Sequence, residues 1–324
     1  MSGASVANAE GYSGVSVQRP KGLASGSRLA VFAPASPGED AAAERGYAEL
    51  ARLGFAVERV ASHTSEGYFA ANAAERRTEF LQKLRDPRID GLIAMRGGYG
   101  SNYLLDDALE SEIAGPKCLI GFSDLTSLQI YLWQRHRWTS IYGPMVGAGL
   151  EAGAGAPKGY DDTSFLRAIG KTDSGWEISL QGETLRPGES EGTLLGGCLT
   201  LLETTIGTPW ELDSRDSILL LEDRGMKPWQ VDRALIHLRQ AGKFEGVRGI
   251  VLGDFPDCAP PVIGSPTVLD VCERILKPLG VPIVFGAPVG HTARPILTIP
   301  LGVRARLHAL EAGSLDILEA AVTA

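Results

Sequence analysis

Apolar and polar positions along this chain follow two periods in turn, and their order predicts a parallel sheet crossed by helices. Arg28-Leu-Ala-Val-Phe-Ala-Pro34 is a short apolar run stopped by proline, the pattern of a buried strand. Ala41 to Leu53 carries apolar residues at helical spacing and is closed by Gly54, a suitable residue just past a helix end. Phe55 to Val60 alternates as a second strand. Ala73 to Leu84 is helical, with Phe80, Leu81 and Leu84 on one side, and Ile89 to Met95 is a third strand. A recurring β-α-β order implies parallel pairing through right-handed crossovers. Cys118-Leu-Ile120 ends a further strand, Gly121 breaks the run, and Leu125, Leu128, Tyr131 and Leu132 predict a helix soon after.

The pattern changes at Gly147, Gly149, Gly153, Gly155 and Pro157, which open a mixed polar stretch reaching about Gly188. Within it, a helix over Asp162–Ile169 and a strand over Gly175–Leu180 can belong to either side. We therefore expect a loose tail over residues 1–26, an N-terminal α/β domain over 27–150, a linker region over 151–190 and a C-terminal domain over 191–324. The last of these opens at Leu194-Leu-Gly-Gly-Cys-Leu199, with a helix to Ile206. Ser217 to Asp223 is the cleanest strand, and Pro228 to Gln240 is a helix with proline at its start and Gly242 beyond its end. Gly249–Gly253 and Val281–Phe285 are strands joined by a helix at about Thr267–Leu276. Ile296–Ile299 with Val303–Leu307 suggests a terminal hairpin.

Composition narrows the class. A chain of 324 residues, 44% of them hydrophobic, accommodates one large or two medium domains with a real core. Its net charge of -8 offers no footprint for nucleic acid or anionic lipid. No apolar run approaches the roughly 20 residues of a membrane span. Cys118, Cys198, Cys258 and Cys272 lie far apart and read as reduced, buried residues rather than a disulfide frame or zinc site. The N-terminus lacks a basic segment followed by an apolar one, so no signal peptide is expected. A cytoplasmic location fits these features.

Candidate chemistry gathers at strand ends. Ser123, on the strand-to-helix turn after Gly121, is either a helix N-cap or a nucleophile exposed beside free helix N–H groups. Leu125 stands where a nucleophile elbow usually has glycine. Arg96-Gly-Gly-Tyr-Gly-Ser101 is a plain turn, an anion nest or, less well matched, a dinucleotide loop. Of the five histidines, which include His63, the residues His136, His237 and His308 have no special setting, whereas His291 follows Gly290 in a loop after a strand. Glu222 and Asp223 leave an apolar strand on opposite faces, so only one of them can face a given site. Ser123, Glu222 and His291 form a candidate nucleophile, orienting acid and base in the chain order of α/β-hydrolases.

Together Ala30-Val-Phe-Ala-Pro34, Met95-Arg-Gly-Gly-Tyr-Gly100, Gly121-Phe-Ser-Asp124, Leu195-Gly-Gly197, Leu221-Glu-Asp223, Pro228 to Arg233 and Gly290-His291 resemble the LD-carboxypeptidase family of serine peptidases. That family includes muramoyltetrapeptide carboxypeptidases and a sibling branch of microcin C immunity-type peptidases. The resemblance implies an α/β fold: an N-terminal open, mostly parallel doubly wound sheet and a smaller C-terminal β/α domain. It implies Ser123 as nucleophile, His291 as general base, Glu222 as its orienting acid, and backbone N–H groups of Gly98 and Asp124 as the oxyanion hole. It further implies a cytoplasmic, often dimeric enzyme without a metal or other cofactor, releasing D-Ala from a murein tetrapeptide. Phe122 departs from the tyrosine common beside the serine, which bears on pocket polarity. Arg96 or Arg224 can hold the substrate carboxylate. The sibling activity calls for an aromatic platform under a nucleobase, for which Trp176 and Trp210 are candidates, and a non-catalytic binding module is the alternative from another class.

Overall fold

The computed structural model describes residues 16–60, 65–170, 173 and 175–324. The first half runs β1 (Arg28–Phe32), α1 (Asp40–Arg52), β2 (Ala56–Glu58), α2 (Ala73–Arg85), β3 (Gly91–Ala94), α3 (Asp107–Glu112), β4 (Cys118–Gly121), α4 (Thr126–His136) and β5 (Ser140–Tyr142). There follow α5 (Asp162–Gly170), β6 (Trp176–Ser179), β7 (Glu183–Arg186), β8 (Gly188–Cys198), α6 (Leu199–Thr204), β9 (Ser217–Glu222), α7 (Pro228–Gln240) and β10 (Gly249–Gly253). The chain ends with α8 (Val268–Leu276), β11 (Ile283–Ala287), β12 (Ile299–Leu301), β13 (Arg304–Ala309) and β14 (Ser314–Ile317).

Among the described residues these strands build two sheets, ordered β12-β5-β4-β3-β1-β2 and β6-β14-β13-β8-β9-β10-β11-β7. The first is parallel except for β12; in the second, β8 to β11 run parallel and the remaining strands pair antiparallel. This is the expected α/β architecture.

β9 explains how the halves meet. Its apolar run is continuous because both faces are buried, as in parallel sheets generally. Ile218 and Leu220 join the core shared with the first sheet, while Leu219 and Leu221 join the core under α6, α7 and α8. The two-residue period then carries Glu222 to the side of the first sheet and Asp223 to the helix side.

Three expectations change. The terminal hairpin does not form. Ile299 pairs with Tyr142 as β12 crosses into the first sheet, whereas β13 pairs with β8 and β14. A short apolar run specifies burial but not a partner, and Pro300 is tolerated because β12 is an edge strand. The tail is also fastened from Gln18 onward: its N–H bonds Arg137 O at 2.8 Å, Gly22 N–H bonds Thr323 O at 2.8 Å, and Arg19 pairs with Glu319 at 2.9 Å. Residues 1–15 lie outside the described residues. The region 151–190 carries α5, and its strands β6 and β7 form the two edges of the second sheet. No helix among the described residues is long and apolar enough to cross a membrane.

Candidate active site

Ser123 follows β4 with φ +64°, a left-handed conformation that a non-glycine residue adopts at a cost of about 1–3 kcal/mol. An N-cap serine would have extended backbone and accept a hydrogen bond from the first turn. Here the cap positions of the 3-10 turn Ser123–Leu125 and of α4 are Phe122 and Leu125, and neither has a side-chain cap. The capping alternative therefore fails, and the strained turn matches a nucleophile elbow. Gln129 of α4 holds the turn from below, donating at 3.1 Å to both Gly121 O and Ile141 O.

The glycine-rich loop after β3 lies directly on this turn. A Cβ on Gly97 would stand 2.8 Å from Ser123 Oγ and 3.3 Å from Asp124 N, so only glycine permits the approach. Gly98 adopts φ +109°. Neither the Gly98 nor the Asp124 N–H donates to another described residue. The backbone of this loop thus closes on the Ser123 hydroxyl.

Beneath it, Ser101 N–H donates to Asp124 Oδ2 at 2.7 Å, and Ser101 Oγ–H donates to Asp124 O at 2.5 Å. Burial pushes the Asp124 carboxyl up despite these bonds. Fully buried Arg76 donates to Gly100 O at 2.7 Å and also to Pro34 O.

The structure brings Glu222 and His291 together. Glu222 Oε2 accepts from the His291 backbone N–H at 2.9 Å and lies 2.8 Å from His291 Nδ1. An ionised Glu222 assigns the proton to Nδ1 and leaves the Nε2 lone pair free. Gly290 makes this possible, because a Cβ there would stand 2.5 Å from Glu222 Cδ. Asp223 points the other way, accepting from Thr200 N–H at 2.9 Å and Thr200 Oγ1–H at 2.7 Å.

Sequence reasoning missed Tyr142. Its hydroxyl donates to Glu222 Oε1 at 2.5 Å and accepts the Ser123 N–H at 3.4 Å, linking acid and serine turn inside the protein. Burial, then the charge of Glu222, raises its pKa well above the usual tyrosine value, so it remains a donor. No motif marks it in the sequence; its only signal is the short apolar run Ser140-Ile-Tyr142 before Gly143-Pro144.

Residues 29–143 match the LD-carboxypeptidase N-terminal domain, and residues 191–307 match the LD-carboxypeptidase C-terminal domain. The chain belongs to the LD-carboxypeptidase family. It is 30% identical over 315 residues to a probable murein peptide carboxypeptidase of Bacillus subtilis, covering 94% of this chain and 95% of that one. The muramoyltetrapeptide carboxypeptidase of Oxalobacter formigenes is similar in structure, with a TM-score of 0.80 and 29% identity over 91% of this chain and 99% of that one. The microcin C7 self-immunity protein MccF is similar in fold, with a TM-score of 0.83 and 23% identity over 94% of this chain and 99% of that one.

The chain has a cleft of about 630 Å³ between its two sheets, lined by Ser123, His291, Gly98, Arg96 and Arg224. Ser123 Oγ makes no hydrogen bond to His291 or to any other described residue; nucleophile and base often tighten only once substrate is bound. Phe122 packs edge-on against the His291 ring at 5.1 Å, so its phenyl makes this wall of the site apolar. Arg224 is paired with Asp257 at 3.0 Å, and Arg96 has no such partner among the described residues.

The two tryptophans are elsewhere: Trp176 is buried in β6, and Trp210 packs against Tyr131. Neither lines the cleft, because the pattern that marked them reported only an aromatic residue and not its facing. His237 pairs with Glu203 and His308 with Asp316 and Glu189, away from the cleft. His63 lies outside the described residues. The four cysteines are free and buried.

Proposed function

We propose that this serine-type LD-carboxypeptidase hydrolyses the L,D peptide bond before the terminal D-Ala of murein tetrapeptides, as a cytoplasmic homodimer serving peptidoglycan recycling. The observation that carries the reaction class is the buried chain Tyr142–Glu222–His291, which ends in the same cleft as Ser123 on its strained turn. His291 Nε2 takes the proton of Ser123 Oγ as it attacks the scissile carbonyl. Glu222 stabilises the resulting imidazolium, and the Gly98 and Asp124 N–H groups take the charge on the carbonyl oxygen. His291 then protonates the departing D-Ala amine, and water, deprotonated by the same histidine, releases the acyl group from Ser123.

An exopeptidase must also hold a terminal carboxylate. Arg96, whose guanidinium has no ion-pair partner among the described residues, is better suited than Arg224, which is tied to Asp257. The murein substrate is favoured by likeness over nearly whole chains to murein-directed relatives. The location draws support from the four unpaired cysteines. A fluorophosphonate probe should label Ser123, and Ser123→Ala should abolish both labelling and D-Ala release.

A second reading has its own support: the self-immunity protein superposes with a higher TM-score than the murein enzyme. Under it, the same residues cleave an amide or phosphoramidate linkage in a peptide–nucleotide antibiotic. Retained labelling of Ser123 without D-Ala release would favour this second reading.

A further inference from the structure

The cleft also holds a carboxylate with one unpartnered oxygen. Glu151 sits in the 3-10 turn Leu150–Ala152 and lines the cleft together with Ser123 and His291. Its Oε2 is buried and makes no hydrogen bond to any described residue. Burial raises its pKa, and the N–H groups of Glu151 and Gly149 offset this only in part. Arg45, whose charge also reaches it, donates its Nε–H at 3.2 Å to the backbone carbonyl of Glu151 and not to the carboxylate.

The other acids lining the cleft are occupied. Asp223 is bonded to Thr200 and to the Arg224 N–H, and Asp257 is paired with Arg224. Lys158 lines the cleft as well, but forms no ion pair with Glu151. A buried carboxylate oxygen without a partner is costly, and a cation brought by a ligand would offset that cost.

We propose that Glu151 binds the side-chain ammonium of the substrate residue that supplies the scissile carbonyl. This rests on the murein reading, in which that residue is a diamino acid, diaminopimelate, whose second amino group is free. The ammonium is carried on the same residue as the carbonyl that Ser123 attacks, so one cleft can hold both. A substrate with an acidic or neutral side chain at that position would leave Glu151 unmatched. Glu151 thus selects the residue type before the cleaved bond.

The test uses the full chain and two tetrapeptides, both acetylated at the N-terminus. They differ only in whether the side-chain amine of the third residue is free or acetylated. D-Ala release gives kcat/KM for each, and the ratio is read within each protein, so a partial loss of fold cancels. The wild type should prefer the free amine about tenfold or more, the size expected of a hydrogen bond to a charged group. Glu151→Gln, similar in shape but uncharged, should bring the ratio close to one. A wild-type ratio near one, or a variant that keeps the wild-type ratio, overturns the assignment of Glu151 alone. No D-Ala release by the wild type, with Ser123 still reactive towards the probe, removes the murein reading and this assignment with it.

Discussion

At the scale of single residues, the proposed site depends on a few atoms whose neighbours are buried and specific. Glu222→Gln preserves shape but removes the charge that holds the Nδ1 proton of His291. By analogy with the equivalent change in serine proteases, it should lower kcat on the order of 10⁴-fold. Steady-state D-Ala release checks this, and a variant within threefold of wild type would exclude Glu222 as the orienting acid. Tyr142→Phe removes the donor to Glu222 Oε1, leaving a buried carboxylate oxygen unbonded. We expect a loss of about 1–3 kcal/mol in stability by denaturant titration, together with a fall in kcat as the acid loses its fixed position. The pairing of Glu222 with His291 was a candidate from the sequence, whereas the bond from Tyr142 to Glu222 was not. Glu222, like Ser123 and His291, stood at a strand end and could be singled out. Tyr142 could not, because its role comes from β5 lying beside β4, a tertiary fact that no local pattern encodes.

At the scale of elements, the loop after β3 and the turn after β4 behave as one piece. Ser101 bonds Asp124 twice, and Arg76 grips the loop carbonyl of Gly100 from α2. Ser101→Ala should therefore loosen the two N–H groups relative to each other. It should lower kcat about tenfold while KM changes little, because those donors act mainly in the transition state. Equal loss in kcat/KM and unchanged kcat would instead assign Ser101 to substrate binding. Regular elements were read well wherever period and punctuation agreed. Pro228 to Gln240 and Gly249 to Gly253 have the expected bounds, since proline, glycine and apolar spacing all mark them. β12 failed because Ile299-Pro-Leu301 carries apolarity without information on which sheet receives it.

At the scale of the molecule, the two sheets are stitched at both chain ends. β12 completes the first sheet from the C-terminal half, and Gln18 to Gly22 bonds Arg137 and Thr323. One core cluster spans both sheets. Thermal unfolding should therefore be a single transition, and two resolved transitions would contradict this joint core. On the second sheet, His308 of β13 is bonded to Asp316 of β14, and that bond, with help from Glu189, raises its pKa above the usual value near 6.5. A raised folded-state pKa stabilises fully below the unfolded value and less as pH rises through the folded one. His308→Gln should therefore reduce stability at pH 5.5 more than at pH 8.5. Equal losses at the two pH values would show that the pair contributes no proton-linked stability.

The measurement closest to the central claim is mass spectrometry of the purified protein incubated with L-Ala-γ-D-Glu-meso-diaminopimelate-D-Ala. An all-L peptide and the Ser123→Ala variant run in parallel. The account predicts a tripeptide and free D-Ala from the first peptide alone, and from the unmodified protein alone. Release that persists in Ser123→Ala would contradict it.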